Sequence, residues 1–323
     1  VHPATMAISG SFMSAGTQLK IEKPTKGCII SACDEIDGPI VRLKNGSVRK
    51  LSDFKEAKQL YNETSEIIYL GDLLFSFGDV ANRNYELLKP GYVEEWWELE
   101  LKKASDSKEK VNKLNVSFEE AITLSKKYNI PLHPKYIFYW REITYDEFIS
   151  LLDWLAHGDF QNNSLALPYT SIDKERFSKG KRALEIIGCE HKVAIEHVVV
   201  SEQEVKALLF NLGIDKNDFN AGIENIIKKI KEKEDLAPKS SLSKSLGIGR
   251  KTVLEIINGL SEAKIKDKAG AFIGARMGRP EKAKLRKLTG SPHVLFPVGE
   301  EGGRLRSFQA AMDIGYIRGE FPN

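Results

Sequence analysis

The chain has 323 residues, of which 41% are hydrophobic and 29% charged, a composition typical of a globular protein with two or three domains. The net charge of +3 excludes a general polycation, and no apolar run reaches the length of a membrane span. The cysteines Cys28, Cys33 and Cys189 follow neither metal-ligand nor disulfide spacing. We therefore expect a protein of a reducing compartment, the cytoplasm, with no membrane partner.

The first hundred residues predict mostly short strands. Residues 18–22 alternate apolar and polar side chains, and Cys28–Cys33 is an apolar run suited to a buried strand. Two further runs, 39–44 and 47–51, flank Asn45-Gly46. Because Asn-Gly suits a type I′ turn, these runs predict a β-hairpin of that type.

Glycine-aspartate corners follow at Gly71-Asp72 and Gly78-Asp79, each beside an apolar strand. Short strands with such corners are typical of a small β-barrel. Asp72 and Asp79 could be catalytic carboxylates, but no third ligand or base stands near them. An aspartate at a turn commonly bonds its own backbone, and we favour that interpretation.

The sequence predicts three helices between residues 53 and 156. A short helix is predicted at Asp53–Tyr61 with Ser52 as its cap. A capping box that begins at Ser117 predicts a helix at Phe118–Tyr128. Apolar spacing predicts another at Tyr145–Ala156.

Further along, residues 192–200 predict one strand, and an isoleucine stripe that starts at Ile223 predicts an amphipathic helix. Residues Ser240–Leu260 loosely match a helix-turn-helix. We interpret them as a helical insertion that carries basic charge, because many helix pairs share that pattern.

Two groups of side chains could bind a ligand, but we favour structural roles for both. Trp96 and Trp97 could stack on bases, but paired tryptophans more often anchor a helix in a core. Four histidines lack a second ligand at metal spacing, so we expect structural or surface roles for them. They are His133, His157, His191 and His197.

The strongest functional signal is the basic stretch 274–287, which carries six Lys or Arg and one acid, with Gly274, Gly278 and Pro280 in its first half. Between residues 239 and 287 there are 13 Lys and Arg against 4 Asp and Glu. Glycine allows close backbone approach, Arg grips two oxygens, and Lys supplies compact charge. The stretch predicts phosphate or nucleic-acid binding; the alternative is a basic surface turn that leads into a helix.

The chain closes as it opens, with short strands and glycine corners at 293–298 and 315–321. This predicts one β-rich unit that is split in sequence by a helical insertion.

Motifs along the whole chain closely resemble the large subunit of the archaeal family D DNA polymerase. They are Gly16–Lys20, Gly38–Val41, Leu70–Asp72, Gly78-Asp79, Glu94–Trp97, Lys266–Gly270, Gly274–Lys287 and Leu295–Gly299. The resemblance implies an α+β fold, a double-psi β-barrel split in sequence by helical insertion modules. Residues 1–92 and 266–323 would form the barrel, and 93–265 the mostly helical modules.

The chain departs from the family in one respect. The family's metal-binding aspartates lie in an Asn-Ala-Asp-x-Asp-Gly-Asp type motif of a second barrel, and neither this motif nor the cysteine-rich zinc modules occur here. The resemblance therefore implies an internal segment of the large subunit, inactive alone, with the Mg²⁺ ligands elsewhere. The first residue, Val1, agrees with a fragment.

The resemblance also implies roles and partners. Lys282, Lys284 and Lys287 would serve catalysis at a shared active site of a replicative DNA-directed DNA polymerase. Five arginines would bind phosphates: Arg276, Arg279, Arg286, Arg304 and Arg306. The expected partners are primer-template DNA, deoxynucleoside triphosphates and the small (exonuclease) subunit. Two alternatives stay open, a non-catalytic DNA-binding module and a scaffold for the small subunit.

Overall fold

A computed structural model describes most of the chain between residues 33 and 268, with short pieces on either side. The described residues are 2–8, 19–20, 33–72, 91–106, 111–161, 163–235, 252–268 and 276–277. Their helices are α1 (Pro3–Ile8), α2 (Phe54–Leu60), α3 (Glu94–Ala104), α4 (Phe118–Tyr128), α5 (Tyr145–Leu155), α6 (Asp173–Ile186), α7 (Glu202–Leu212), α8 (Phe219–Asp235) and α9 (Val253–Leu260). Their strands are β1 (Leu19–Lys20), β2 (Ile40–Leu43), β3 (Val48–Lys50), β4 (Thr64–Tyr69), β5 (Asp159–Gln161), β6 (Ser164–Pro168), β7 (His191–Val193), β8 (His197–Val200) and β9 (Arg276–Met277).

The strands form two antiparallel groups. Seven of them make one sheet in the order β4-β2-β3-β7-β8-β6-β5, and its two halves meet where Val48 pairs with His191. The other group joins β1 to β9, with Lys20 opposite Arg276. Helices beside an antiparallel sheet confirm the predicted α+β class. Strands β5–β8 fall within residues 93–265, and the division into domains stays a prediction.

The predicted hairpin exists, but its turn differs from the type I′ prediction. Strands β2 and β3 pair antiparallel, and the loop between them is Lys44, Asn45 and Gly46. The Gly46 N–H donates to Leu43 O at 2.8 Å, and Gly46 alone of the three has a positive φ, of 86°. This is a three-residue loop with a glycine bulge. The Asn45 carboxamide oxygen accepts from the Ser47 N–H at 2.9 Å, which stabilises the turn.

The predicted capping signal places one helix correctly, and a second helix begins at the predicted residue, behind a cap that was not predicted. The Ser117 hydroxyl accepts from the Glu120 N–H at the start of α4, and Thr144 with Glu147 makes a reciprocal capping box at the start of α5. The predicted Ser52 cap is wrong by one residue, since Asp53 holds the N-cap position of α2 without a side-chain cap bond.

The predicted single strand at 192–200 is wrong. It is a hairpin of β7 and β8, in which Lys192 pairs with Val199 and Val193 with Val198. The turn between them contains Ile195, which is 95% exposed. The run holds neither glycine nor proline, so no local residue announces the reversal.

The main core lies between the helices and the sheet and contains the tryptophans Trp97, Trp140 and Trp154, each fully buried. The isoleucine stripe of α8 faces this core, as predicted, through Ile223 and its neighbours Ile226, Ile227 and Ile230. A smaller core packs α1 and α2 against β2. Among the described residues, no helix is long and apolar enough to cross a membrane.

Helices α5 and α6 pack very closely at Gly180. A Cβ atom on Gly180 would lie 2.6 Å from the Ser150 carbonyl oxygen, so only glycine fits there. Helix α6 also contacts the β2–β3 hairpin, where Lys181 Nζ donates to Gly46 O at 2.8 Å.

A buried ionic network fastens α6 to the sheet. Glu185, 3% exposed, pairs with buried Lys181 and accepts from Arg42 Nε at 3.0 Å and from Arg182 Nη1 at 2.9 Å. Arg182 also binds Glu66 on β4 at 2.7 Å. Burial alone would raise the pKa of Glu185, but Lys181 and the two arginines lower it. Glu185 is therefore ionised, and the network ties α6 to β2 and β4.

Candidate nucleic-acid interface

Only one of the eight predicted site residues lies among the described residues. Arg276 belongs to β9, where its backbone pairs with that of Lys20 on β1. Outside the described residues lie Arg279, Lys282, Lys284, Arg286, Lys287, Arg304 and Arg306, and also Asp79. What the structure describes is the segment that leads into the basic stretch.

This anchor segment, Lys264–Lys268, is fixed through its backbone. The Leu132 N–H donates to Lys264 O at 3.0 Å, and the Tyr92 N–H donates to Asp267 O at 2.9 Å. Two separate parts of the chain therefore hold the anchor segment at both of its ends.

Lys266 adds an aromatic and ionic contact. Its ammonium group pairs with Glu100 and lies 4.3 Å from the ring centroid of Trp96 and 4.8 Å from that of Tyr92. Trp97 is fully buried, and Trp96 packs against the core. The preference for core anchoring over base stacking is thus confirmed for this pair.

Lys268 reaches into a group that we call the Asp37 clasp, made of Asp37, Lys50 and Lys268. Asp37 Oδ1 lies 2.7 Å from Lys50 Nζ, and Asp37 Oδ2 lies 3.3 Å from Lys268 Nζ. Lys268 Nζ also donates to Pro134 O at 3.1 Å and lies 5.6 Å from the ring centroid of Tyr139. The Lys268 side chain is only 11% exposed, so the clasp is largely shielded from water.

Mutual electrostatics keep the clasp charged. Burial would raise the pKa of Asp37, but Lys268 and Lys50 outweigh it and hold that pKa well below its usual range. Burial would lower the pKa of Lys268, but Asp37 and Glu94 raise it above its ordinary value. Burial, and then the charge of Asp37, raise the pKa values of Asp72 and Glu94.

Asp72 has a structural role that differs in detail from the prediction. Its Oδ2 accepts from the Asp37 N–H at 3.0 Å, and its own N–H donates to Asp37 O at 2.9 Å. Asp72 therefore bonds the backbone of Asp37, just ahead of β2, rather than the backbone of its own turn. Both Asp37 oxygens face lysines, and no group of three His, Cys, Asp or Glu in the described part of the chain is placed to hold a metal ion. These residues do not fit a magnesium site.

The histidines behave as expected. His133 and His191 are buried beside backbone oxygens, with Nε2 of His133 at 2.9 Å from Lys113 O and Nδ1 of His191 at 2.8 Å from Cys189 O. Burial lowers the pKa of each to about 4, so both are neutral at pH 7. His157 and His197 lie on the surface.

A carboxyl on α7 makes a pH-dependent contribution to stability. Burial, and then the carboxylate of Glu190, raise the pKa of Glu204 to about 7 from an ordinary 4.5. The folded chain thus binds this proton more tightly than the unfolded chain. The resulting stability is present below pH 4.5 and is lost as the pH rises through 7.

We expect the Glu204→Gln variant to unfold at a higher temperature than the parent at pH 8 and to gain at most about 3 kcal/mol there, with little gain at pH 5. Thermal unfolding by circular dichroism at both pH values measures this. Glu202→Gln is the control, because Glu202 is exposed on the same helical turn and pairs with Lys206 at 3.0 Å. Equal gains at pH 5 and pH 8 for Glu204→Gln would contradict the assignment.

By its fold and its site, the chain is an α+β protein in which an anchor segment, held by backbone hydrogen bonds and ion pairs, leads into a lysine- and arginine-rich stretch. A family profile described as "DNA polymerase II large subunit DP2, central domain" matches residues 1–320. The chain belongs to this family.

Curated relatives agree over nearly the whole chain. DNA polymerase II large subunits from Nanoarchaeum equitans, Archaeoglobus fulgidus and Pyrococcus horikoshii are 35%, 36% and 35% identical over 360, 318 and 357 residues. These alignments cover 99%, 97% and 98% of this chain, but 27%, 25% and 23% of the relatives. The chain thus spans about a quarter of the length of the curated relatives that it matches.

Proposed function

We propose that this chain is the part of a replicative DNA polymerase large subunit that binds the phosphates of primer-template DNA and of the incoming deoxynucleoside triphosphate. Lys282, Lys284 and Lys287 face the reacting phosphates. The backbone of the DNA is bound by Arg276, Arg279, Arg286, Arg304 and Arg306. The small (exonuclease) subunit is the protein partner.

One observation carries this proposal. The beginning and the end of the described chain meet at two places, where β1 pairs with β9 and where Asp37 binds Lys268. In sequence, Lys268 precedes the basic stretch and β9 lies near the start of it. These contacts support a double-psi β-barrel formed by residues 1–92 and 266–323, with residues 93–265 inserted.

The chemistry needs cations at this position. In nucleotidyl transfer a primer 3′ oxygen attacks the α-phosphate, and negative charge develops on the phosphate oxygens. Lysines that are fixed in place beside those oxygens stabilise that charge without reorganisation of the protein. Divalent metal ions, Mg²⁺ in this proposal, clamp the attacking and leaving oxygens in such reactions. Their ligands belong to aspartates outside this chain.

The test is single-nucleotide incorporation by the complete enzyme, with Lys282, Lys284 and Lys287 each changed to alanine. For a lysine that contacts the reacting phosphates, we expect the rate to fall by about 10²-fold or more, the loss typical of one transition-state donor. Lys126→Ala is the control, since Lys126 is exposed and pairs with Glu262 at 2.7 Å. Incorporation rates that stay at the wild-type value in all three variants would refute the catalytic role.

A further inference from the structure

The anchor segment has a separate charge partner for each of its last three residues. Lys266 pairs with Glu100 on α3, and Asp267 Oδ2 lies 2.7 Å from Arg141 Nη1. Lys268 pairs with Asp37, ahead of β2. Because the three partners lie on three different parts of the chain, they fix both the position and the rotation of the segment.

The three contacts are unequal. Arg141 is 53% exposed, and an exposed ion pair contributes little because water screens it. The contact between Asp37 and Lys268 is the more deeply buried of these two, with side chains 23% and 11% exposed. Lys268 is also the residue of the anchor segment that lies nearest in sequence to the basic stretch.

Asp37 is itself held at every polar group. Its N–H donates to Asp72 Oδ2 and its carbonyl accepts from the Asp72 N–H. Its two carboxylate oxygens face two different lysines, Lys50 and Lys268. An apolar contact would bury the same area but would not fix the direction of a lysine in this way, whereas buried charge pairs can specify one geometry.

We propose that Asp37 is a positioning residue for phosphate binding, which holds Lys268, six residues ahead of Gly274, where the basic stretch begins. This inference rests on the proposed function, because the basic stretch is taken to bind phosphates. Asp37 itself touches no DNA in this assignment, and it acts through Lys268.

The sign of the effect separates positioning from simple charge. Asp37→Asn removes one negative charge, so a long-range electrostatic effect alone would tighten DNA binding. Positioning requires the opposite, that binding weakens because the cations of the basic stretch no longer reach their phosphates. The double variant Asp37→Asn/Lys268→Gln keeps the net charge of the parent and also avoids leaving Lys268 unpaired in the folded chain.

The experiment measures binding of a primer-template duplex to the 323-residue chain as a function of salt concentration, with thermal unfolding of each variant alongside. We expect the salt slope to become shallower by about 0.9 for each phosphate that the protein no longer neutralises, and by at least one such step in both Asp37 variants. Asp37→Glu restores the carboxylate and is expected to recover most of the slope.

Glu185→Gln is the matched control. It makes the same charge change and removes a carboxylate from another buried network, away from the anchor segment. It is expected to lower the unfolding temperature and to leave the salt slope unchanged. An unchanged slope in both Asp37 variants, or an equal reduction of the slope in Glu185→Gln, would overturn the positioning role.

A parallel measurement on the Lys282/Lys284/Lys287 triple alanine distinguishes the two proposals. If the triple variant lowers the slope and the Asp37 variants do not, only the positioning role fails. If the triple variant leaves the slope unchanged, the proposal that these lysines bind phosphates is refuted. The proposed positioning role of Asp37 is then refuted as well, because it depends on that binding.

Discussion

Replacing Lys282, Lys284 and Lys287 together by alanine is expected to reduce the salt slope for primer-template binding by up to about 2.7, since each neutralised phosphate accounts for roughly 0.9. The physical reason is counterion release, because each lysine that neutralises a phosphate frees a condensed cation from the DNA. The measurement is affinity of the 323-residue chain for one duplex at several salt concentrations.

The control for this prediction must remove the same charge elsewhere. Lys126, Lys127 and Lys135 are exposed lysines outside the anchor segment and the basic stretch. Their triple alanine variant lowers the net charge equally and is expected to leave most of the slope intact. If the slope falls equally in the two triple variants, general charge and not a directed interaction explains the binding.

Equal slopes in the parent and the Lys282/Lys284/Lys287 variant would have a different meaning. These lysines would then not bind the duplex backbone in the isolated chain. The rate of nucleotide incorporation by the complete enzyme would then decide between two alternatives. Either the lysines bind only the triphosphate, or they are exposed to solvent and bind no phosphate.

The second large effect concerns stability. Glu185→Ala is expected to lower the free energy of unfolding by about 3–5 kcal/mol, because it leaves the buried ammonium group of Lys181 without its carboxylate. Lys181 would keep three uncharged neighbours, the Gly46 carbonyl oxygen at 2.8 Å, His191 Nε2 at 3.4 Å and the Tyr169 ring, whose centroid lies 5.8 Å from Nζ. Urea unfolding followed by circular dichroism measures the decrease.

A double variant tests the cause of that decrease. Lys181→Met/Glu185→Leu replaces the buried pair with apolar side chains, and such replacements are often neutral or stabilising. We expect it to recover most of the stability that Glu185→Ala removes. A decrease for Glu185→Ala below about 1 kcal/mol, the range of an exposed pair, would show that water reaches this network.

The sequence predicted best those features that neighbouring residues determine. Ser117 lies three residues before a glutamate, and the helix that follows it begins as predicted. The Asn45-Gly46 pair marked the hairpin correctly. It could not define the turn type, because a three-residue loop and a two-residue loop both accept that pair.

The features that were missed depend on distant parts of the chain. Nothing near Asp37 in sequence indicates Lys268, and nothing near Glu185 indicates Arg42 or Glu66. The hairpin of β7 and β8 follows from pairing with β3 and β6, which overrides a run of strand-forming residues with no turn signal. The basic stretch was recognisable from composition, whereas the ion pairs of the anchor segment were not.

The single pairing of Val48 with His191 joins two strands that are far apart in sequence. Helices α3–α6 and strands β5 and β6 all lie in sequence between β3 and β7. During synthesis, β3 therefore keeps a free edge until the whole of that region has left the ribosome. Pairing across so long a separation is slow, and an unpaired edge attracts other chains. We therefore expect the nascent polypeptide to be prone to aggregation in the interval before β7 arrives.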